Sequence, residues 1–215
     1  METLIEERGL LWDGFRMTLW LIATSGTISL LLGTVLAIMR VSPIPPLRWA
    51  GTVYVILIRN TPLTLIFVFS AFGLPRVDVR LSFVSFAIVA LSVYTAAFVC
   101  ESVRSGINSV AKGEIEAARA IGLPFRQVLS LVVLPQAFRA IVPPLGNVLV
   151  ALTKNTSIAA AFSVTEATQV ARRLANAHGS DTIMILIGTA LGYLLITLVF
   201  GRGIAFLERR ATLAR

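Results

Sequence analysis

The sequence predicts an all-α protein that crosses a membrane about five times. Of its 215 residues, 56% are hydrophobic and 14% are charged, whereas soluble domains average about 25% charged residues. The charged residues cluster between long uncharged runs, and a membrane-spanning helix needs about 20 mostly apolar residues in succession. We therefore expect residues 1–215 to form a single transmembrane domain.

Uncharged runs locate the predicted spans. Residues 17–39, 81–100 and 182–201 carry no charged side chain, and residues 49–75 carry only Arg59. Each of these runs is long enough to cross the apolar core of a bilayer. The fourth span is assigned to a less regular run that contains two adjacent prolines. The predicted spans are approximately residues 15–39, 49–74, 81–104, 138–162 and 183–206.

The fourth run contains Pro143 and Pro144 in the sequence PPLGN. Proline inside a helix removes a hydrogen-bond donor and clashes with the preceding turn. We therefore expect the fourth span to kink or break there. Broken helices near the middle of a membrane often form the binding sites of transporters.

The distribution of Lys and Arg predicts the orientation. With five spans, loops on one side carry eleven of the 19 basic residues and loops on the other side carry six, while Arg59 and Lys154 fall within the membrane. Cytoplasmic loops carry the excess of basic residues. We therefore expect the C-terminus in the cytoplasm and the N-terminus outside. The net charge of +8 is explained in this way without nucleic-acid binding.

The chain lacks the residues that several functional classes require. The chain has one cysteine, Cys100, in an apolar run, and one histidine, His178. A zinc cluster and a histidine-based catalytic triad both require more such residues. No group of nucleophile, base and acid is evident, so we expect no catalytic residue, no metal site and no cofactor bound by this chain.

The segment KGEIEAARAIGLPF, residues 112–125, interrupts the apolar sequence with a charged helix. Glu114 and Glu116 lie in its first turn, where acidic side chains suit the helix dipole. Gly122 fits the position after the helix that favours a left-handed conformation, and Pro124 fits the start of a following helix.

The same segment has a narrow apolar stripe. Ile115, Ala118 and Ile121 recur at three-residue spacing. An amphipathic helix of this kind can lie in a groove on a partner protein. It can equally be a plain connector between spans, and the residues alone leave both interpretations open.

Residues 116–135, EAARAIGLPFRQVLSLVVLP, resemble the E-A-A-x-x-x-G loop of ATP-binding cassette importer permeases. Residues 54–63, 101–122, 134–147 and 151–159 resemble, in the same order, the polar amino acid uptake branch and its glutamate permeases. In that family the loop forms a coupling helix that inserts into a groove on a cytoplasmic ATPase. The resemblance assigns the coupling loop to about residues 108–137 and the coupling role to Gly113, Glu114, Glu116, Ala117, Ala118, Arg119 and Gly122.

The resemblance also implies the partners. The chain has no G-x-x-x-x-G-K-[ST] phosphate loop, so ATP and Mg are expected on two separate ATP-binding cassette ATPase subunits. A second permease subunit, either a similar chain or another copy of this one, and an extracytoplasmic substrate-binding protein complete the expected complex. Its expected place is the inner membrane of a bacterial cell.

Polar residues within spans are costly and mark candidate substrate contacts. Arg59 and Glu101 either pair with each other or meet the substrate. Lys154, Thr156 and Ser157 can bind a carboxylate; alternatively, Lys154 extends to the lipid headgroups and the hydroxyls bond their own helix. The candidate substrate-pathway residues are Arg59, Thr61, Thr95, Glu101, Lys154, Asn155, Thr156 and Ser157.

The residue type at position 155 indicates the charge of the expected substrate. Many members of the polar amino acid branch carry aspartate at the matching position, so Asn155 removes a negative charge beside Lys154. The resemblance therefore favours glutamate or another acidic amino acid, with glutamine or a different polar amino acid as the alternative. A transporter driven by an ion gradient would require an intramembrane carboxylate relay, for which Glu101 is the candidate.

Overall fold

The fold is entirely helical over the residues that the computed structural model describes, 2–213. Met1, Ala214 and Arg215, and with them the ends of the predicted domain, lie outside the described residues. The predicted all-α class is confirmed. The helices are α1 (Glu2–Glu6), α2 (Arg8–Val41), α3 (Pro45–Arg59), α4 (Leu63–Val68), α5 (Phe83–Asn108), α6 (Lys112–Ala120), α7 (Phe125–Gln127), α8 (Leu134–Asn155), α9 (Ala167–Ala177) and α10 (Thr182–Leu213).

Four helical segments in the described range are long and apolar enough to cross a membrane. A fifth crossing is possible if the bent pair Pro45–Arg59 and Leu63–Val77 forms one span. The structure therefore agrees with a polytopic membrane protein of four to five crossings. The four single segments are Arg8–Val41, Phe83–Asn108, Phe125–Phe162 and Gly179–Phe206.

The centre of the bundle is a close contact between α2 and α5. Small residues recur at four-residue spacing along the buried side of α2: Ser25, Ser29, Gly33 and Ala37. A Cβ atom at Gly33 would lie 2.7 Å from the carbonyl oxygen of Ala96 on α5. Small residues allow helix backbones to approach closely in membranes, where van der Waals packing and hydrogen bonds drive association.

The second predicted span is not one straight helix. Between α3 and α4 the axis bends by 104°, and the chain continues beyond α4 as a π-helix (Phe69–Gly73) and a 3-10 helix (Leu74–Val77). The bend lies at Thr61 and Pro62, because a residue that precedes proline is disfavoured in the α conformation. The residues predicted to form one span, 49–74, therefore form two helices at an angle, either a broken span or a re-entrant loop.

The fourth span, in contrast, is more regular than predicted. Helix α8 continues through Pro143 and Pro144 without interruption and begins at Leu134 rather than near Phe138. Neighbouring helices hold it on both sides: a Cβ atom at Gly146 would meet Ile204 of α10, and one at Gly106 of α5 would meet Ile141. Such packing stabilises proline-containing helices in membranes. Irregular turns flank α8 instead, as a π-helix (Val128–Val133) and a 3-10 helix (Thr156–Phe162).

Glu166 joins three helices at the end of the bundle opposite α6. Its side chain is fully buried and accepts a 2.9 Å hydrogen bond from the Gln169 backbone N–H, which caps α9. The hydroxyl of Tyr193 on α10 donates to its other carboxylate oxygen, and Thr18 Oγ1 on α2 lies 3.4 Å from the same atom. The Ala167 N–H donates to Thr18 in turn. Glu166 thereby fixes α9 against α2 and α10.

Stability should decrease with rising pH through Glu166. Burial raises the pKa of this carboxyl above its ordinary value, so the folded protein binds the proton more tightly than the unfolded chain does. The resulting stabilisation is present at acidic pH and is lost as the pH rises through the folded-state pKa. We expect the Tm of the native protein, relative to that of Glu166→Gln, to fall as the pH rises above the ordinary pKa of a glutamate side chain, about 4.3.

Thermal unfolding of the purified protein in detergent, followed across this rise in pH, measures this difference. Asp13→Asn, at an exposed position on α2, is the matched control and should follow the native profile. Parallel profiles for the native protein and Glu166→Gln would contradict the assignment.

Candidate functional site

Helix α6 ends in a Schellman motif at Gly122. The N–H of Gly122 bonds the carbonyl oxygen of Arg119 at 3.0 Å, and the N–H of Leu123 bonds that of Ala118 at 3.2 Å. Gly122 has φ +87°, a left-handed conformation that glycine adopts without steric cost. The predicted helix and its glycine stop are both confirmed. Pro124 is the residue before α7 rather than its first residue.

The apolar stripe predicted on α6 packs against the chain itself. Ile115 and Ala118 belong to a buried cluster that also contains Val128, Val133 and Ala137. This part of the stripe is therefore unavailable to a partner, because it closes the contact between α6 and the start of α8. Ile121, the third member, is 78% exposed.

Exposed apolar side chains mark the turn after α6. Phe125 is 70% exposed and follows Ile121 at four-residue spacing across the turn. Phe125 is not among the predicted coupling residues, although a large apolar residue beside a charged helix is a signal that could have indicated it. Of the predicted coupling residues, Ala118 is buried, whereas the others are exposed: Gly113, Glu114, Glu116, Ala117, Arg119 and Gly122.

A side-chain hydrogen bond connects α6 to α8. The side-chain amide of Gln136 on α8 donates to the Glu114 carboxylate. Together with the apolar cluster beneath α6, this bond holds the helix against the π-helix Val128–Val133 and the start of α8.

Glu101 is the centre of an ion-pair cluster of three helices. Arg40 on α2 donates to one carboxylate oxygen, and Arg104 donates to the other through Nε at 3.1 Å and Nη2 at 2.8 Å. Arg59, at the end of α3, lies 3.6 Å from the oxygen that Arg40 binds. The pairing of Arg59 with Glu101, which the sequence left open, is present, but Arg59 is the most weakly held member.

Arg59 also extends toward a cavity. Its side chain is 44% exposed, compared with 12% for Arg40. The Arg59 guanidinium carbon lies 5.3 Å from the centroid of the Phe98 ring, within the range of a cation–π contact. Because Phe98 lines the cavity, Arg59 connects the ion-pair cluster to the cavity wall.

The cavity lies between α5 and α8 and has a volume of about 350 Å³. Its wall includes Thr95 and Asn155, two of the predicted substrate-pathway residues. The Thr95 hydroxyl is buried and has no hydrogen-bond partner in the described part of the chain. Buried polar groups are nearly always bonded, so this hydroxyl suits a ligand or water. The remaining lining residues, which sequence reasoning did not nominate, are Tyr94, Phe98, Asn147, Val148 and Ala151.

The other predicted residues do not share this cavity. Thr156 is fully buried and donates to the carbonyl oxygen of Thr153, and Ser157 donates to that of Lys154. Thr61 donates to the carbonyl oxygen of Leu57. All three hydroxyls therefore bond nearby backbone carbonyls; for Thr156 and Ser157, this is the alternative that the sequence left open. Lys154 and Ser157 line a different cavity, against α9 and α10.

Removing the charge of Glu101 should destabilise the bundle. Glu101→Gln leaves three guanidinium groups close together without the carboxylate that balances them. Deleting one partner of a buried ion pair costs several kcal/mol, and for this partly exposed cluster we expect a loss of about 2 kcal/mol. Glu116→Gln, at an exposed position on α6, should change the stability by less than about 0.5 kcal/mol. Denaturation in detergent measures both, and equal effects of the two variants would contradict the role of the cluster.

Known proteins match nearly the whole chain. It is 38% identical over 213 residues to the glutamate transport system permease protein GluC of Corynebacterium efficiens, with 93% of each chain covered. It is 40% identical over 203 residues to the probable glutamine ABC transporter permease protein GlnM of Bacillus subtilis, with 92% of this chain and 91% of that protein covered.

A solved structure and a family match both agree with these relatives. The crystal structure of an amino acid ABC transporter with histidines superposes with a TM-score of 0.90 at 29% identity, covering 96% of each chain. Residues 29–213 match the family described as binding-protein-dependent transport system inner membrane component. The chain therefore belongs to this family and is an inner-membrane permease of the ATP-binding cassette importer type.

Proposed function

We propose that the chain is the permease of an ATP-driven amino acid importer, with acidic amino acids such as glutamate as the preferred substrate. The observation that carries this proposal is the cavity between α5 and α8, where the free Thr95 hydroxyl and two asparagine amides meet beside Arg59. Amides both donate and accept hydrogen bonds, so they suit the ammonium and carboxylate groups of an amino acid.

The charge around the cavity favours an anionic side chain. Its lining residues are all uncharged, with Asn147 and Asn155 on the α8 side. The nearby cluster combines three arginines with one glutamate, so its net charge is positive. A cationic substrate would meet no carboxylate on the wall, whereas an acidic one would be attracted by Arg59.

The coupling role is proposed for α6 and the turn that follows it. Ile121 and Phe125 present an exposed apolar pair, which suits a groove on an ATPase subunit. Two such subunits, holding ATP and Mg, would move α6 as they close. Because α6 is attached to α8 through Glu114 and Gln136, this motion would open the cavity to alternate sides of the membrane.

The proposed arrangement places α6 and the C-terminus in the cytoplasm and the N-terminus outside. A second permease subunit, either a similar chain or another copy, would face the cavity. A substrate-binding protein would dock on the outer segments, residues 76–80 and 165–181. The basic residues of the loops support this orientation.

Glutamine is the second candidate substrate. The two amides of the cavity wall would pair equally well with a side-chain amide, and one close relative is named for glutamine. An importer driven by an ion gradient is disfavoured, because Glu101, the candidate relay, is held by three arginines. A carboxylate held in this way does not readily carry a proton.

Replacing Ile121 should uncouple the permease from its ATPase. We expect Ile121→Ser to reduce co-purification with the ATPase at least fivefold, because an exposed apolar anchor typically contributes 1 kcal/mol or more, about fivefold in affinity. Ile183→Ser, at a position of similar exposure (73%) on the opposite end of the bundle, is the matched control. Substrate-stimulated ATP hydrolysis in the reconstituted complex gives the second readout. Unchanged co-purification and hydrolysis in Ile121→Ser would refute the coupling assignment.

Adding a charge to the cavity should shift its selectivity. We expect Asn155→Asp to lower the uptake of glutamate relative to that of arginine at least tenfold, because the new carboxylate repels an anionic side chain and attracts a cation. Asn176→Asp, the same substitution at an exposed position on α9, should leave the ratio unchanged. Competition uptake with a panel of amino acids measures the ratio. A constant ratio in Asn155→Asp would exclude Asn155 from the substrate site.

A further inference from the structure

A second cavity lies between α8, α9 and α10, at the end of the bundle opposite α6. Its volume is about 350 Å³, comparable to roughly ten molecules of liquid water. Lys154 and Ser157 follow from the end of α8, and Thr168 and Arg172 come from α9. The α10 wall consists of Leu186, Thr189, Ala190 and Tyr193.

Two cations face this cavity, and neither has a counter-ion in the described part of the chain. Lys154 and Arg172 are both exposed, and neither side chain forms a hydrogen bond or an ion pair with the described part of the chain. Two positive charges close to a low-dielectric protein wall repel each other. An anion between them would remove this repulsion and gain attraction from both.

The hydroxyl groups of the cavity are already engaged. Ser157 donates to the carbonyl oxygen of Lys154 at 2.7 Å, and Thr189 donates to that of Ile185 at 2.9 Å. The hydroxyls of Thr168 and Tyr193 lie 3.2 Å apart, and Tyr193 donates to Glu166. The two cations are therefore the groups through which this cavity can hold a ligand.

Two residues of the α10 wall, Leu186 and Ala190, make part of it apolar. Leu186 and Ala190 lie one turn apart on α10 and are both exposed, within a segment that is long and apolar enough to span a bilayer. The cavity thus combines a dicationic end with an apolar side at the membrane boundary. An anionic phospholipid has the complementary arrangement of phosphate and acyl chain.

We propose that this cavity binds an anionic phospholipid, with its phosphate between Lys154 and Arg172 and an acyl chain along Leu186 and Ala190. The site is separate from the cavity of Thr95 and Asn155, so it does not depend on which substrate is transported. It also accounts for Lys154, whose charge faces away from the substrate cavity. A bound lipid would tie α8, α9 and α10 together at this end of the bundle.

Lipid retention by the purified full-length chain tests the proposal. Native mass spectrometry would compare phosphatidylglycerol with phosphatidylcholine, which has the same phosphate but no net charge. We expect phosphatidylglycerol to bind more tightly, and each of Lys154→Gln and Arg172→Gln to weaken it about fivefold. Arg173→Gln, at the adjacent exposed position on α9 that does not line the cavity, is the matched control and should retain the native affinity.

Three results would overturn the proposal. The first is equal binding of the two lipids, and the second is native phosphatidylglycerol affinity in both single variants. The third is displacement of the lipid by millimolar inorganic phosphate, which would assign the cavity to a free anion instead. The two single variants act on different helices, so a folding defect in one leaves the other to decide the result.

Discussion

The close approach of α2 and α5 is the constraint on which the rest of the structure depends. Gly33 leaves no room for a side chain against Ala96, so the two backbones are in direct contact. This contact brings Arg40 at the end of α2 to Glu101 on α5, and it presents Thr95 on the α8 side of α5. The ion-pair cluster and the cavity wall are therefore both consequences of small residues on one stripe of α2.

Composition and local pattern predicted much of this architecture. Uncharged runs located the membrane-crossing segments, since a bilayer demands apolar length, and Gly122 marked the end of α6, since its left-handed conformation is a local property. Helix packing was harder to foresee. Pro62 accompanies a 104° bend, whereas Pro143 and Pro144 continue α8, because contacts with α5 and α10 decide whether proline breaks a helix.

The site could be predicted only in part for a similar reason. Lys154 and Asn155 are adjacent in sequence, and together they suggested one polar cluster. In the structure they line different cavities, because successive residues of a helix point about 100° apart. Ile115 and Ala118 likewise matched a docking stripe, but only tertiary packing determines that this stripe is covered by the chain's own Val128 and Val133.

The hydrogen bond between Glu114 on α6 and Gln136 on α8 links the two helices near one end of α8. The 22 residues of α8 form a rod of about 33 Å, with Gln136 near one end and Asn155 at the other. A tilt of about 10° around Gln136 would displace Asn155, about 28 Å away along the helix, by roughly 5 Å. A tilt of this size would therefore move the cavity wall at Asn155 by a distance comparable to the width of an amino acid side chain.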